Sequence, residues 1–147
     1  MAPFFRLLTF DTPREDLRNL GLLVLRVSSA TLMCFGHGVP KLFKLLEGGT
    51  FADPLGLGPQ VSLFLATFAE VACALMVAAG LLTRLSCLPL IVTMLVAAAI
   101  VHGADPWAKK EFALLYLIPF AVLLLTGPGR WSVDALIHRR GSPSREQ

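Results

Sequence analysis

The sequence predicts an all-α fold, a four-transmembrane-helix bundle, on two observations. Of 147 residues, 55% are hydrophobic and only 16% charged, with mean hydropathy +0.69, whereas a soluble domain carries about 25% charged residues. The 44 residues from Val61 to Ala104 contain just two charges, Glu70 and Arg84. A helix crosses a bilayer core with about 20 apolar residues, so this stretch makes two spans joined by a tight turn.

Gly21 to Val39 reads as the first span. The second is placed at 60–82 and the third at 86–102, with Arg84 marking the turn between them. Phe112 to Thr126 reads as a short fourth span. The division that follows is an N-terminal segment at 1–19, a transmembrane domain at 20–137 and a basic tail at 138–147. Residues 2–8 and 14–20 read as a brief amphipathic surface segment. The polar start, with Arg6, Asp11, Arg14, Glu15, Asp16 and Arg18, lacks the pattern of a cleaved signal peptide. Segment 48–60 holds four glycines and two prolines and is expected to form no regular helix.

Orientation follows from the basic residues. Four spans put both termini and the Arg84 turn on one side, with Arg6, Arg14, Arg18, Arg84, Arg130, Arg139, Arg140 and Arg145. Lys41, Lys44, Lys109 and Lys110 fall on the other. Eight against four places the N and C termini in the cytoplasm, in a bacterial inner (cytoplasmic) membrane. Trp107 and Trp131 flank spans three and four at opposite interfaces. The net charge of +3 gathers at the chain ends, where arginines meet anionic lipid; no nucleic acid partner is expected.

Ionisable residues inside spans are the informative ones, since each costs about 2.5–3.5 kcal/mol at a helix centre and needs a partner or a task. Glu70 stands mid-span on the face of Leu63, Ala66, Thr67, Cys73, Ala74 and Val77, mostly small residues suited to helix packing. Arg26 shares a face with Ser29, Ala30, Met33, His37 and Lys41. An Arg26–Glu70 ion pair fixing helix register is one expectation; a proton- or ligand-handling role is the other.

In Phe35-Gly-His-Gly-Val-Pro-Lys-Leu-Phe43, Pro40 removes a helical hydrogen bond and the glycines let the backbone bend. Broken helix at membrane depth is tolerated where it lines a cavity or lies buried in protein. His37 and Lys41 therefore stand at a kink near the outer interface, at the level of His102 and Glu111. Imidazole beside carboxylate can pass protons or bond a polar headgroup. The candidate proton-handling and binding set is thus His37, Lys41, Glu70, His102 and Glu111.

No metal is expected: three scattered histidines make no ligand set. Cys34, Cys73 and Cys87 lack C-x-x-C spacing and read as small apolar fillers. Neither a P-loop, nor a dinucleotide fingerprint, nor a nucleophile elbow occurs. HGVPK near the end of span one has a faint echo in HGADPWAKK after span three, as two duplicated hairpins would produce.

With Arg26, His37-Gly38…Lys41-Leu-Phe43, Glu70, Gly80-Leu-Leu-Thr-Arg84, His102, Glu111-Phe112 and Gly127-Pro-Gly-Arg-Trp-Ser-Val-Asp134, the chain resembles the DoxX family of small four-helix membrane proteins. The likeness runs from about Leu20 to Ile137. The family takes its name from a membrane subunit associated with thiosulfate:quinone oxidoreductase, and other members are linked to redox partners and oxidative stress. The resemblance implies a quinone- or thiol-redox setting and a protein partner subunit. The chain has no extramembrane domain for thiosulfate and no cysteine pair for thiol exchange. Enzyme activity would therefore be that of a non-autonomous subunit, its electrons coming from a partner's cofactor. The other reading is a structural or assembly subunit whose buried charges specify packing.

Overall fold

The computed structural model describes residues 14–141. The segment at 2–8, the side chains of Arg6 and Asp11, and tail residues 142–147 with Arg145 lie outside them. Every regular element is helical among the described residues.

Helix α1 runs from Arg14 to Leu46, as Arg14–Met33, a π turn Cys34–Gly38, and Val39–Leu46. Residues 14–20 form its first turns and not a separate surface segment, because nothing between them and Gly21 breaks the helix. Glu15 and Asp16 in the first turn suit the positive end of the helix dipole. The expected break at Pro40 takes the form of the π turn, after which the helix continues. A π turn closes i→i+5, which makes room for the proline ring over the preceding turn.

Helix α2 comprises Pro59–Thr67, a π turn Phe68–Cys73, and Ala74–Ala79. Pro59 opens it at a position where no N–H is needed. Gly80, left-handed at φ 73°, ends it, and Leu81 N–H donates to the Met76 carbonyl at 2.9 Å. Helix α3 is Thr83–Val96 continued by a π turn, Ala97–Val101. Helix α4 is Trp107–Thr126, beginning on Lys109, Lys110 and Glu111 before its apolar stretch. A short α5, Val133–Gly141, follows.

Among the described residues three helices are long and apolar enough to cross a membrane: Glu15–Leu46, Pro59–Ala79 and Thr83–Val101, with mean hydropathy 1.4, 2.1 and 2.2. Helix α4 completes the bundle, packing most extensively on α3 and also on α1, while α1 packs on α2 and α2 on α3. Short connections make sequential neighbours antiparallel.

The bundle is apolar outside as well as inside. Met33, Leu63, Val77, Cys87, Leu90, Phe120 and Leu123 are fully buried, whereas Leu32, Phe35, Leu85 and Leu125 are exposed. That outer surface belongs against lipid tails, and the helices satisfy their own backbone groups there. Cys34, Cys73 and Cys87 are buried free thiols in the core. On α2 the expected inner face holds: Leu63, Thr67, Glu70, Cys73, Ala74 and Val77 are buried and Ala66 half-buried.

Candidate functional site

The π turns of α1 and α2 meet. Gly38 lies so close to α2 that a Cβ there would stand 2.6 Å from the Glu70 carbonyl oxygen and 2.8 Å from Val71 Cγ2. This close approach brings the next turn of α1 over Glu70. Lys41 Nζ then reaches Glu70 Oε2 at 2.5 Å, with Glu70 2% and Lys41 22% exposed.

Glu70's ion partner is therefore Lys41, and the expected Arg26–Glu70 pair does not form. Arg26 sits in the opposite half of the bundle, 3% exposed. It donates to the Pro128 carbonyl at 3.2 Å and to the Trp131 carbonyl, while its Nε has no protein partner among the described residues. The physical reason is length. From residue 26 to residue 41 the helix climbs roughly 22 Å, so one mid-span carboxylate cannot serve both ends.

Arg26 belongs to a polar lock that holds the 127–132 loop against the end of the bundle away from Lys41. Asn19 Oδ1 accepts from Arg130 N–H at 2.9 Å, and Arg130 pairs with Asp16 at 2.9 Å. Asp134 accepts from Leu82 N–H at 2.7 Å, and from the Thr83 N–H and hydroxyl at 3.0 Å each. A residue from the far end of the chain thus caps α3. In the sequence, Asp134 stands out only as the last residue of the Gly127–Asp134 motif.

At the other end a cavity of about 320 Å³ opens between α2, α3 and the 51–57 loop. Lys41, Glu70, Thr93 and His102 supply its polar side chains together with Ser62, and Leu65, Ala66, Val92, Val96 and Val101 its apolar wall. Leu65, Val92 and Val101 are 46%, 55% and 44% exposed, so the cavity opens sideways toward the bilayer as well. The loop is tied down by Asp53, which accepts from the Ser62 hydroxyl at 2.7 Å and from Leu57 and Gly58 N–H at 2.9 and 2.8 Å. The Ser62 bond, with those backbone bonds behind it, holds the Asp53 carboxyl below the usual carboxylate range.

Three of the five candidate side chains, Lys41, Glu70 and His102, share this cavity. His37 does not line it. The wide π turn rotates it off the Arg26 face, leaving it exposed and edge-on to Tyr116 with ring centroids 5.2 Å apart. Glu111 is exposed near the start of α4, just past its first turn, and is likewise absent from the cavity wall. The expected convergence of His37, Lys41, His102 and Glu111 is corrected accordingly. Asp105, not Glu111, meets the imidazole, with Oδ2 2.8 Å from His102 Nδ1 and 3.4 Å from Lys109 Nζ. The i,i+3 spacing in His102-Gly-Ala-Asp105 was the sequence signal for it.

These features define a polytopic helical membrane protein with a charged, bilayer-accessible cavity near one interface. The chain belongs to the DoxX family, whose model matches residues 21–103. It is similar to the uncharacterized membrane protein Rv3486 of Mycobacterium tuberculosis, 30% identical over a match that covers 71% of this chain and 78% of that protein. No solved structure matches it.

Proposed function

We propose that the chain is a subunit of a redox complex in a bacterial inner membrane and that its cavity admits a quinone headgroup. One observation carries the reading: Lys41 of α1, Glu70 of α2 and His102 at the end of α3 line one cavity that opens toward lipid. Small-molecule sites are apolar clefts of roughly 300–1,000 Å³ with a few convergent polar groups, and this cavity fits at the small end. The headgroup lies among Lys41, Glu70 and His102, and the isoprenoid tail leaves past Leu65, Val92 and Val101. Quinone chemistry moves two protons with two electrons. Glu70 and His102 handle the protons, and a partner subunit's cofactor handles the electrons. The termini face the cytoplasm in this reading.

The test is titration of the purified protein in nanodiscs with a decyl-substituted benzoquinone, comparing wild type, Glu70→Gln and Leu65→Trp. Saturable binding that weakens about tenfold in each variant supports the site. Equal binding in all three, or none in wild type, leaves a structural or assembly subunit without activity of its own.

A further inference from the structure

The cavity's hydrogen-bonding groups are unequally committed. The Ser62 hydroxyl is spent on Asp53 Oδ1 at 2.7 Å, and the Thr93 hydroxyl on the Pro89 carbonyl at 2.8 Å. Lys41 spends one N–H on Glu70 Oε2 and keeps the others. On the acceptor side, Glu70 Oε1 makes no protein hydrogen bond among the described residues.

His102 adds a second acceptor through its turn. Asp105 N–H donates to the His102 carbonyl at 3.0 Å, which sets the two side chains face to face. Gly103 permits this shape, because a Cβ there would stand 2.5 Å from the Ala99 carbonyl oxygen. An ionised carboxylate can only accept, so the proton between His102 Nδ1 and Asp105 Oδ2 belongs to the ring nitrogen. The hydrogen bond from His102 holds the Asp105 carboxyl below its ordinary range, and Lys109 acts in the same direction. Asp105 is therefore ionised at neutral pH. With Nδ1–H turned to Asp105, the Nδ1–H tautomer leaves the Nε2 lone pair as the ring's acceptor.

We propose that Asp105 is a positioning residue that fixes His102 as an acceptor, and that the cavity therefore selects the reduced, hydroxyl-bearing form of a quinone over the oxidised form. The inference rests on the quinone reading above. A quinol hydroxyl can donate to His102 Nε2 or Glu70 Oε1 and still accept from Lys41. A quinone carbonyl satisfies Lys41 alone and leaves both acceptors unmatched, which is the situation in which a polar site rejects an analogue.

The experiment uses the full-length protein in nanodiscs under argon, titrated with a decyl-substituted benzoquinone and with its chemically reduced quinol. Wild type is expected to bind the quinol on the order of tenfold more tightly, and Asp105→Ala to lose that preference. In parallel, ¹⁵N NMR of histidine-labelled protein, with His102 assigned through His102→Gln, should show the Nδ1–H tautomer in wild type. In Asp105→Ala it should shift toward Nε2–H. If Asp105→Ala does not fold, Asp105→Leu takes its place, with the same expected loss of preference, because neither side chain can accept from Nδ1–H. Equal affinity for the two forms in wild type, or a tautomer unchanged by the substitution, overturns the inference while leaving a quinone site in place. Binding of neither form removes the quinone reading itself, and this inference with it.

Discussion

Lys41 Nζ stands 2.5 Å from Glu70 Oε2, joining the end of α1 to the middle of α2 at the floor of the cavity. The contact exists because two π turns abut through Gly38, which lets α1 approach the Glu70 backbone directly. Breaking a buried pair from one side strands the other charge, at a cost of about 3–5 kcal/mol. Glu70→Ala is therefore expected to lower the thermal midpoint in detergent, followed by circular dichroism. Lys41→Met with Glu70→Leu should recover much of that loss. A Glu70→Ala protein that melts with wild type would show that the pair holds nothing together.

Gly38→Ala tests the approach itself. The new methyl group meets the Glu70 carbonyl and Val71 at 2.6 and 2.8 Å, so α1 and α2 must separate. Overpacking of this kind costs about 1–3 kcal/mol. Gly21→Ala, where a Cβ meets nothing within 4 Å, is the control and should melt at or above wild type.

The lock around Arg26 predicts two unequal losses. Asp134→Ala removes the acceptor for Leu82 and Thr83 and should cost about 1 kcal/mol, as for a lost helix cap. Arg26→Lys should be worse, since a single ammonium cannot reproduce the guanidinium fork that reaches both Pro128 and Trp131. Faster trypsin cleavage after Arg130 in both variants, and fastest in Arg26→Lys, is the readout. Equal rates in all three proteins would argue against the lock.

The 51–57 loop carries a pH prediction. Asp53 is depressed in the folded chain, so its tether is fully present above the ordinary aspartate value of about 3.9 and is lost as pH falls through the lower folded value. Hydrogen exchange at Leu57 and Gly58, corrected for the intrinsic rate, should stay protected from pH 7 down to about 4 and lose protection only below. Asp53→Asn should weaken that protection already at pH 7. Protection that disappears near pH 6 would point to a different titrating group.

Topology is open to direct measurement. Reporter fusions after Gly58 and after Gln147 are expected on opposite sides, with Gln147 cytoplasmic by the excess of basic residues there. Both reporters on one side would overturn the span count or the orientation.

The membrane class, the approximate positions of α1 to α4 and the inward face of α2 were legible in the sequence, whereas α5 was not. Apolar length and helical period report solvent and face without reference to any other part of the chain. Thus the small neighbours of Glu70 alone put it in the interior, and it is 2% exposed. Its partner was not legible. Arg26 and Lys41 share one extrapolated face, and only the packed bundle separates them, giving Arg26 to the Pro128 and Trp131 carbonyls and Lys41 to Glu70. His37 left its expected face because a π turn adds a residue to the helical turn, a local change that an apolar pattern does not record. Asp134 capping α3 and Asp105 meeting His102 are likewise matters of where chain ends and turns come to rest. Hydrophobicity is a property of each residue and accumulates along the chain, whereas the choice of a charge's partner is settled over a few ångströms, after the helices have packed.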